Sequence, residues 1–178
     1  MTSRTTAPAP FLIRPAEARD ADAIAAVHRT SMREALPYLP DLHTAEEDRA
    51  WVANVVLPRQ EVWVAEAAGR VVGVAALDGE MLAQLYILPG EQGRGIGSAL
   101  LATAMARRPA GMRLYAFQRN TRARSFYECR GFVAVEFGDG SGNEEGEPDV
   151  LYEWTPTTAD GGEREESAPP PSSEVQIL

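Results

Sequence analysis

The spacing of apolar residues changes along the chain, and this change separates predicted helices from predicted strands. Residues 61–67 and 70–77 alternate with a period of two and are joined through Ala68-Gly69, which indicates a hairpin. Residues 98–108 have helical spacing instead and stop at Pro109. We predict strands at 11–14, 61–67, 70–77, 81–88, 112–117, 132–137 and 149–154, and helices from Asp20 or Asp22 onward and at 45–56, 98–108 and 121–130.

The order of these elements predicts the fold class. Along the chain it is β α α β β β α β α β β, so hairpins are mixed with two strand-helix-strand crossovers. We therefore expect a single α/β domain with a mixed sheet over residues 11–155. The two ends differ in composition, because residues 1–10 are rich in Thr, Ala and Pro, and residues 156–178 form an acidic tail rich in Pro, Gly and Ser. Both ends are predicted to be disordered.

Composition excludes several classes of protein. The chain has 178 residues with one cysteine, Cys129, and two histidines, His28 and His43, so we expect neither an internal disulfide nor a metal site. All 17 basic residues are arginine, and the lack of lysine excludes Schiff-base catalysis. The longest apolar stretch, residues 99–106, is too short to cross a bilayer, and the first residues lack an apolar signal core. We therefore expect a cytoplasmic protein.

Charge is distributed unevenly along the chain. The formal net charge of −9 predicts no nucleic-acid partner, and we expect no membrane partner either. Residues 91–130 nevertheless hold eight arginines and two acidic residues, a block that can receive a small polyanion, although solvated helix faces explain it equally well. Residues 136–149 hold six carboxylates and no basic residue, which suits a cationic amine, an arginine-rich partner or a plain solvated loop.

The segment that follows the predicted strand at 81–88 carries the clearest chemistry. Its loop contains Gly93, Gly95 and Gly97, and a helix begins immediately after it. Several backbone N–H groups can then converge at the positive end of the helix dipole, and glycine lets the main chain approach an anion closely. Arg94 adds donors shaped for phosphate oxygens. The loop is a candidate phosphate cradle, and the alternative is an ordinary helix start.

Two other phosphate-binding loops fit this segment less well. The Walker A loop ends in Gly-Lys-Ser/Thr, and this chain has no lysine. The dinucleotide fingerprint G-x-G-x-x-G, begun at Gly93, requires glycine where Ser98 stands. It also requires an acidic residue about 20 positions later, and residues 113–117 contain none. A nicotinamide-dependent oxidoreductase is therefore only a third hypothesis for the function.

Two motifs resemble those of one family. Residues 92–97, Gln-Gly-Arg-Gly-Ile-Gly, are similar to the Q/R-x-x-G-x-G/A signature of the GNAT superfamily of acyl-CoA N-acyltransferases. Residues 120–132 resemble its second motif, with Asn120 at the start and Phe126-Tyr127-Glu128 at the centre. The resemblance covers residues 11–154, and it is strongest from 61 to 132. It implies a GNAT-type mixed central sheet with helices on both faces.

The resemblance also implies a cosubstrate, acetyl-CoA, and its contacts. In the family, the strands corresponding to residues 81–88 and 112–117 diverge, and the pantetheine arm lies between them as an extra strand. The loop would hold the pyrophosphate, and Arg122, Arg124 and Arg130 are candidates for the 3′-phosphate. The implied cofactor-binding residues are Leu85, Tyr86, Ile87, Gln92, Gly93, Arg94, Gly95, Ile96, Gly97, Ser98 and Asn120.

The activity implied by the resemblance is direct transfer of an acetyl group to a primary amine. Tyr127 takes the place of the family's general acid, and the N–H near Ile87 that of the oxyanion donor. For the general base the sequence offers Glu80 or Glu66, acting directly or through water, although the default interpretation of each is an ordinary exposed carboxylate. We expect a small-molecule or peptide amine as acceptor and, from family habit, a homodimer.

Other residues have less specific interpretations. His43 and Tyr38 are candidates to line an acceptor pocket, although a solvated loop histidine explains His43 as well. His28 and Cys129 are interpreted as packed side chains. The main alternative function is a catalytically silent module that binds acetyl-CoA for regulation, and Tyr127 together with the intact glycines argues against it.

Overall fold

The computed structural model describes residues 10–156, so most of both ends predicted to be disordered, residues 1–9 and 157–178, lies outside the described range. The strands are β1 (Phe11–Pro15), β2 (Glu61–Ala67), β3 (Arg70–Asp78), β4 (Met81–Ile87), β5 (Met112–Phe117), β6 (Val133–Phe137) and β7 (Asp149–Trp154). The main helices are α1 (Ala21–Ala35), α2 (Ala45–Trp51), α3 (Ile96–Arg107) and α4 (Thr121–Glu128). The predicted element order is confirmed.

The seven strands form one mixed sheet in the order β1-β2-β3-β4-β5-β7-β6. One face packs against α3 and α4 and buries residues such as Leu85, Leu100 and Tyr127. The other face packs against α1 and α2 and buries residues such as Ile24 and Tyr86. A mixed sheet with helices on both faces, as the family resemblance implied, is therefore confirmed. Within residues 10–156, no helix combines the length and apolarity needed to span a membrane.

Three helices depart from their predicted bounds: α4 ends at Glu128 rather than at 130, and the other two differ for local reasons. The segment after α2 continues as a π-helical turn, Val52–Val56, and a final turn, Leu57–Arg59, so helical structure extends beyond the predicted end at 56. Pro58 lies just after the π turn, and it has no N–H to donate into a regular helical ladder. Helix α3 begins at Ile96 rather than Ser98, because Gly95 is its left-handed N-cap.

Candidate active site

Strands β4 and β5 are neighbours in the sheet but pair at one end only. Met81 and Arg113 are their parallel partners in register, and the Arg113 N–H donates to Glu80 O at 2.9 Å. No further pair joins these two strands, both of which are fully described, so a gap opens between them toward Ile87 and Phe117. The divergence of these strands is confirmed.

The alternation of the β4 main chain directs the N–H and C=O groups of Leu85 and Ile87 into this gap. The Leu88 N–H donates to Val72 O of β3 at 2.9 Å, and Tyr86 shares that orientation as the register partner of Val74. Main-chain groups of successive residues in a strand point to opposite sides. The N–H and C=O groups of Leu85 and Ile87 therefore face β5, whereas those of Tyr86 face β3.

Two side chains hold the carbonyl group of Ile87. The Ser31 hydroxyl of α1 donates to Ile87 O at 2.9 Å, and Gln92 Nε2 donates to it at 3.1 Å. Ser31 is buried, and both bonds fix the main chain where β4 ends and the loop begins. Sequence reasoning did not find this role for Ser31. The sequence feature that could have indicated it is a serine among the apolar positions of α1, where a buried hydroxyl needs a hydrogen-bond partner.

The glycine-rich loop presents an open main-chain surface. Gly93 and Gly95 have φ angles of 77° and 83°, in the left-handed region that glycine adopts at little cost. A Cβ placed on either residue would meet nothing within 4 Å, so the space beside the loop is free. The first N–H groups of α3 have no acceptor within the helix and carry its positive dipole end. The loop therefore has the geometry of an anion cradle.

A cavity of about 330 Å³ lies between this loop and α4. Its wall combines Gln92, the three glycines and Ser98 with side chains from α4. Arg130 donates to Ser98 Oγ at 2.7 Å, and its guanidinium lies 3.6 Å from the centre of the Phe126 ring. Arg122 also lines the cavity. Two arginines and a helix N-terminus suit a ligand that carries several phosphate charges.

Two arginines named by sequence reasoning are engaged elsewhere. Arg94 forms an ion pair with Glu91, which balances its charge beside the loop. Arg124 donates to the Tyr152 hydroxyl at 3.0 Å and does not line the cavity, so the structure removes it from the predicted phosphate contacts. Side chains two positions apart on a helix differ by about 200° around its axis, so Arg124 points away from Arg122. Helical spacing alone could have separated them.

Two buried polar groups, one on α4 and one on the residue that caps it, have no hydrogen-bond partner within residues 10–156. Asn120 caps α4 through Oδ1, which accepts from the Ala123 N–H at 3.1 Å, but its Nδ2 is unmatched. The Tyr127 hydroxyl is also buried and unmatched. Burying a polar group without a partner is costly. Asn120, whose N–H donates to Phe117 O at the end of β5, therefore fits a ligand that enters the gap and accepts from Nδ2.

The surroundings of Tyr127 keep its phenol protonated. Its side chain is fully buried, and its ring packs against Phe126, Phe132 and Tyr152. Burial raises the pKa of the Tyr127 hydroxyl above its usual value, and Arg130 opposes this only weakly. The phenol therefore holds its proton at neutral pH, as a proton donor must, and the raised pKa makes it a weaker acid than an exposed tyrosine. The role of Tyr127 stays a prediction.

Neither predicted base lies at the open end of the gap. Glu80 is exposed in the β3–β4 turn, where β4 and β5 are still paired. A strand rises about 3.3 Å per residue, which places Glu80 roughly 20 Å from Ile87 along β4. Glu66 lies on β2 and forms an ion pair with Arg14 at 2.8 Å. The geometry therefore gives no support to either residue as the general base.

The opposite face of β4 carries polar groups that sequence reasoning left without a role. His28 of α1 packs its ring edge-on against Tyr86, with centroids 4.7 Å apart, and its buried Nδ1 has no partner in the described part of the chain. Burial lowers the pKa of His28 to about 4, so the imidazole is neutral at pH 7. Gln84 is also fully buried, and neither atom of its amide has a hydrogen-bond partner within residues 10–156.

A second cavity, of about 290 Å³, adjoins His28, and we call it the α1 cavity. It is lined by α1, by residues 36, 37 and 39–43, by Asp48 and by Glu145. His43 is part of the wall, and its Nε2 lies 3.0 Å from Glu144 Oε2, which raises the pKa of His43. Tyr38 is not part of the wall, because its ring lies under Arg119, 3.6 Å from that guanidinium carbon.

Comparison with known proteins gives consistent matches. A family model described as an acetyltransferase (GNAT) domain matches residues 58–134. The peptidyl-lysine N-acetyltransferase YiaC of Escherichia coli is 35% identical over 86 residues, 48% of this chain and 58% of that enzyme, so the chain spans less than two thirds of this relative. The peptidyl-lysine N-acetyltransferase YjaB of Salmonella typhimurium is 30% identical over 121 residues, 67% of this chain and 81% of that enzyme.

The fold is also similar to solved structures. The PaiA N-acetyltransferase of Thermoplasma acidophilum, determined in complex with coenzyme A, superposes with a TM-score of 0.62. The two chains share 21% sequence identity, and the match covers 82% of this chain and 99% of the other. At this identity the likeness concerns the fold, and this fold includes a protein that binds coenzyme A.

Proposed function

Because the chain belongs to the GNAT superfamily of N-acetyltransferases, we propose that it transfers the acetyl group of acetyl-CoA to a primary amine by direct attack. The observation that carries this proposal is the gap between β4 and β5, which opens beside the glycine-rich loop. An extended ligand arm can lie in the gap while its phosphates lie at the start of α3.

The residues that hold acetyl-CoA follow from this geometry. The main-chain groups of Leu85 would bond an amide of the pantetheine arm, and Asn120 Nδ2 would donate to the arm from the β5 side. Ile87 O is already held by Ser31 and Gln92, which leaves the Ile87 N–H for the thioester carbonyl. The N–H groups at the start of α3 would bind the pyrophosphate, which the open surface of Gly93 and Gly95 allows to approach. Arg122 and Arg130, which both line the cavity, would bind the remaining phosphate.

The chemistry requires three tasks of the protein. The thioester supplies an activated acetyl group, so a neutral amine attacks its carbonyl carbon and a C–N bond forms while the C–S bond breaks. The Ile87 N–H would stabilise the negative charge that develops on the carbonyl oxygen. The Tyr127 hydroxyl would give its proton to the departing thiolate, and the proton lost by the amine nitrogen would pass through solvent to restore the phenol.

The acceptor class is suggested by the relatives. YiaC and YjaB are both named for action on peptidyl-lysine, a primary amine on an aliphatic chain. We propose an amine of this kind, on a peptide or on a small molecule, for this chain. The α1 cavity supports it, because that cavity borders His28 on the face of β4 opposite α3 and α4. Cosubstrate and acceptor would then approach the gap from opposite faces of the sheet.

Thiol release from acetyl-CoA tests the proposal directly. The purified protein is incubated with acetyl-CoA alone and with polyamines, amino acids, aminoglycosides or lysine peptides, and free coenzyme A is measured. We expect at least one primary amine to raise release well above the acceptor-free rate. In parallel, acetyl-CoA at a hundred times its Kd should stabilise the protein by about 2.7 kcal/mol in thermal unfolding. Stabilisation without any acceptor-dependent release would favour the regulatory binding module instead, and stabilisation by a nicotinamide dinucleotide would favour the oxidoreductase.

A further inference from the structure

Two donors from different parts of the fold converge on one main-chain oxygen at the end of β4. The Ser31 hydroxyl of α1 donates to Ile87 O at 2.9 Å, and Gln92 Nε2, just before the glycines of the loop, donates to the same atom at 3.1 Å. A carbonyl oxygen has two lone pairs, and these two bonds use both. Because one partner satisfies a buried carbonyl, the second bond is not required for that purpose.

The bond that Ser31 makes is not the one a helical serine makes locally. A hydroxyl inside a helix can donate to the carbonyl four residues earlier, as Thr103 of α3 does to Ala99 O at 2.9 Å. The Ser31 hydroxyl reaches instead to another element, 56 positions away. Ser31 is buried, and alanine has the better helix propensity at such a position. The contact with β4 therefore accounts for a hydroxyl here.

The oxygen held in this way belongs to the residue whose N–H is the proposed oxyanion donor. In an extended strand the N–H and C=O of one residue point to the same side, and both groups of Ile87 face the gap. A carbonyl oxygen carries partial negative charge, so without donors Ile87 O would repel a second negative oxygen beside it. The hydrogens that Ser31 and Gln92 direct at Ile87 O offset that charge, and such dipoles act strongly where water is excluded.

We propose that Ser31 is a positioning residue for acetyl transfer: its hydroxyl occupies Ile87 O, so that the Ile87 N–H can bind the thioester oxygen without repulsion from the carbonyl beside it. This inference rests on the proposed function and adds to it a residue of α1. Ser31 does not touch the thioester and acts through the Ile87 carbonyl. Its effect grows as negative charge develops on the thioester oxygen, so it should alter kcat more than acetyl-CoA affinity.

The infrared C=O stretch of bound acetyl-CoA tests the inference without turnover. Acetyl-CoA that is isotope-labelled at the thioester carbonyl is added to the full chain in the absence of any acceptor, and the difference spectrum gives the C=O frequency. A donor aimed at the carbonyl oxygen polarises the C=O bond and lowers this frequency. We expect the wild-type frequency to lie below that of free acetyl-CoA in water, and Ser31→Ala to move it back toward the free value.

Four variants separate the hydroxyl of Ser31 from its volume. Ser31→Ala should lower kcat by about tenfold, the loss expected for one hydrogen bond, and leave the Kd of acetyl-CoA within about twofold of the wild type. Ser31→Cys has a similar volume but only a weak donor, so it should resemble Ser31→Ala, whereas Ser31→Thr keeps the hydroxyl and should recover part of kcat. Thr103→Val, the matched control, removes a hydroxyl that donates to a main-chain carbonyl elsewhere and should change Tm but neither kcat nor the C=O frequency.

The outcomes separate this inference from the proposed function. Ser31→Ala with unchanged kcat overturns it, and so does a wild-type C=O frequency equal to that of free acetyl-CoA. A lower kcat with an unchanged C=O frequency, or an equal loss of kcat in Thr103→Val, gives Ser31 a purely structural role and also overturns it. If Ser31→Ala does not fold, Ser31→Cys provides the same comparison. If amines are acetylated independently of Ser31, the acetyltransferase stands and the positioning role falls. If the C=O frequency depends on Ser31 but no amine is acetylated, the carbonyl site stands and the transfer reaction falls.

Discussion

Replacing Tyr127 with phenylalanine separates the two interpretations of this residue, general acid and packed aromatic ring. The hydroxyl is fully buried and has no partner within residues 10–156. Leaving a buried hydroxyl unmatched costs about 1–3 kcal/mol, so Tyr127→Phe should raise the free energy of unfolding of the unliganded protein by about 1 kcal/mol. For a chain of this length that corresponds to a rise of roughly 2–4 °C in Tm.

The same change should damage catalysis. If the hydroxyl donates the proton to the leaving thiolate, its loss should lower kcat by about 10²- to 10⁴-fold. Acetyl-CoA affinity should fall much less, because the main-chain groups of β4 and the glycine-rich loop carry most of the binding. A variant that is more stable and nearly inactive is the expected result if the buried Tyr127 hydroxyl costs stability and is needed for the reaction.

Tyr152→Phe provides the matched control in the same core. Its hydroxyl donates to Glu128 at 2.5 Å and accepts from Arg124 at 3.0 Å, so its removal should destabilise the protein by about 1–3 kcal/mol and leave kcat unchanged. Thermal unfolding without ligand and steady-state kinetics with saturating acceptor measure both effects. An unchanged kcat in Tyr127→Phe would remove the residue from the mechanism, and a lower Tm would show that its hydroxyl is stabilising in the unliganded fold.

Three further perturbations test other parts of the structure. The folded-state pKa of His28, about 4, lies below its ordinary 6.5, so its contribution to stability is present above pH 6.5 and is lost, up to about 3 kcal/mol, as pH falls toward 4. Urea unfolding at pH 7 and at pH 4.5 measures this loss of unfolding free energy. The loss should be smaller in His28→Gln and larger in His43→Gln, because the pKa of His43 is raised and that of His28 is lowered. A loss in His28→Gln equal to that of the wild type contradicts the argument. Gly95→Ala and Gly69→Ala each force alanine into the left-handed region at a cost of about 1 kcal/mol. Only Gly95→Ala should raise the Kd of acetyl-CoA, because Gly69 lies outside the glycine-rich loop. Equal changes in Kd would contradict a phosphate-binding role for this loop. Gln84→Met should raise the free energy of unfolding by about 1 kcal/mol in urea titrations, whereas a decrease would mean that the buried amide is satisfied.

Secondary structure was predictable because it depends on neighbours in the sequence. The strands 61–67, 112–117 and 149–154 have the bounds that alternation and turn residues predict. The error at α3 was also local, since the left-handed Gly95 starts the helix two residues early. The π-helical turn at Val52–Val56 was not predictable from apolar spacing, which hardly distinguishes it from an ordinary helical turn.

The sequence alone determined the elements and the glycine-rich loop, because each is formed by residues within a few positions of one another and needs only local backbone preferences. The tertiary structure alone decided which groups meet across the fold. Ser31 reaches Ile87 O over 56 positions, and His28 and Glu145 line one cavity although more than a hundred residues separate them. It also decided that Glu80 lies at the closed end of the gap, because a strand holds its residues at fixed intervals along one line. Contacts of this kind follow from sheet order and helix packing, which no local pattern of residue types specifies.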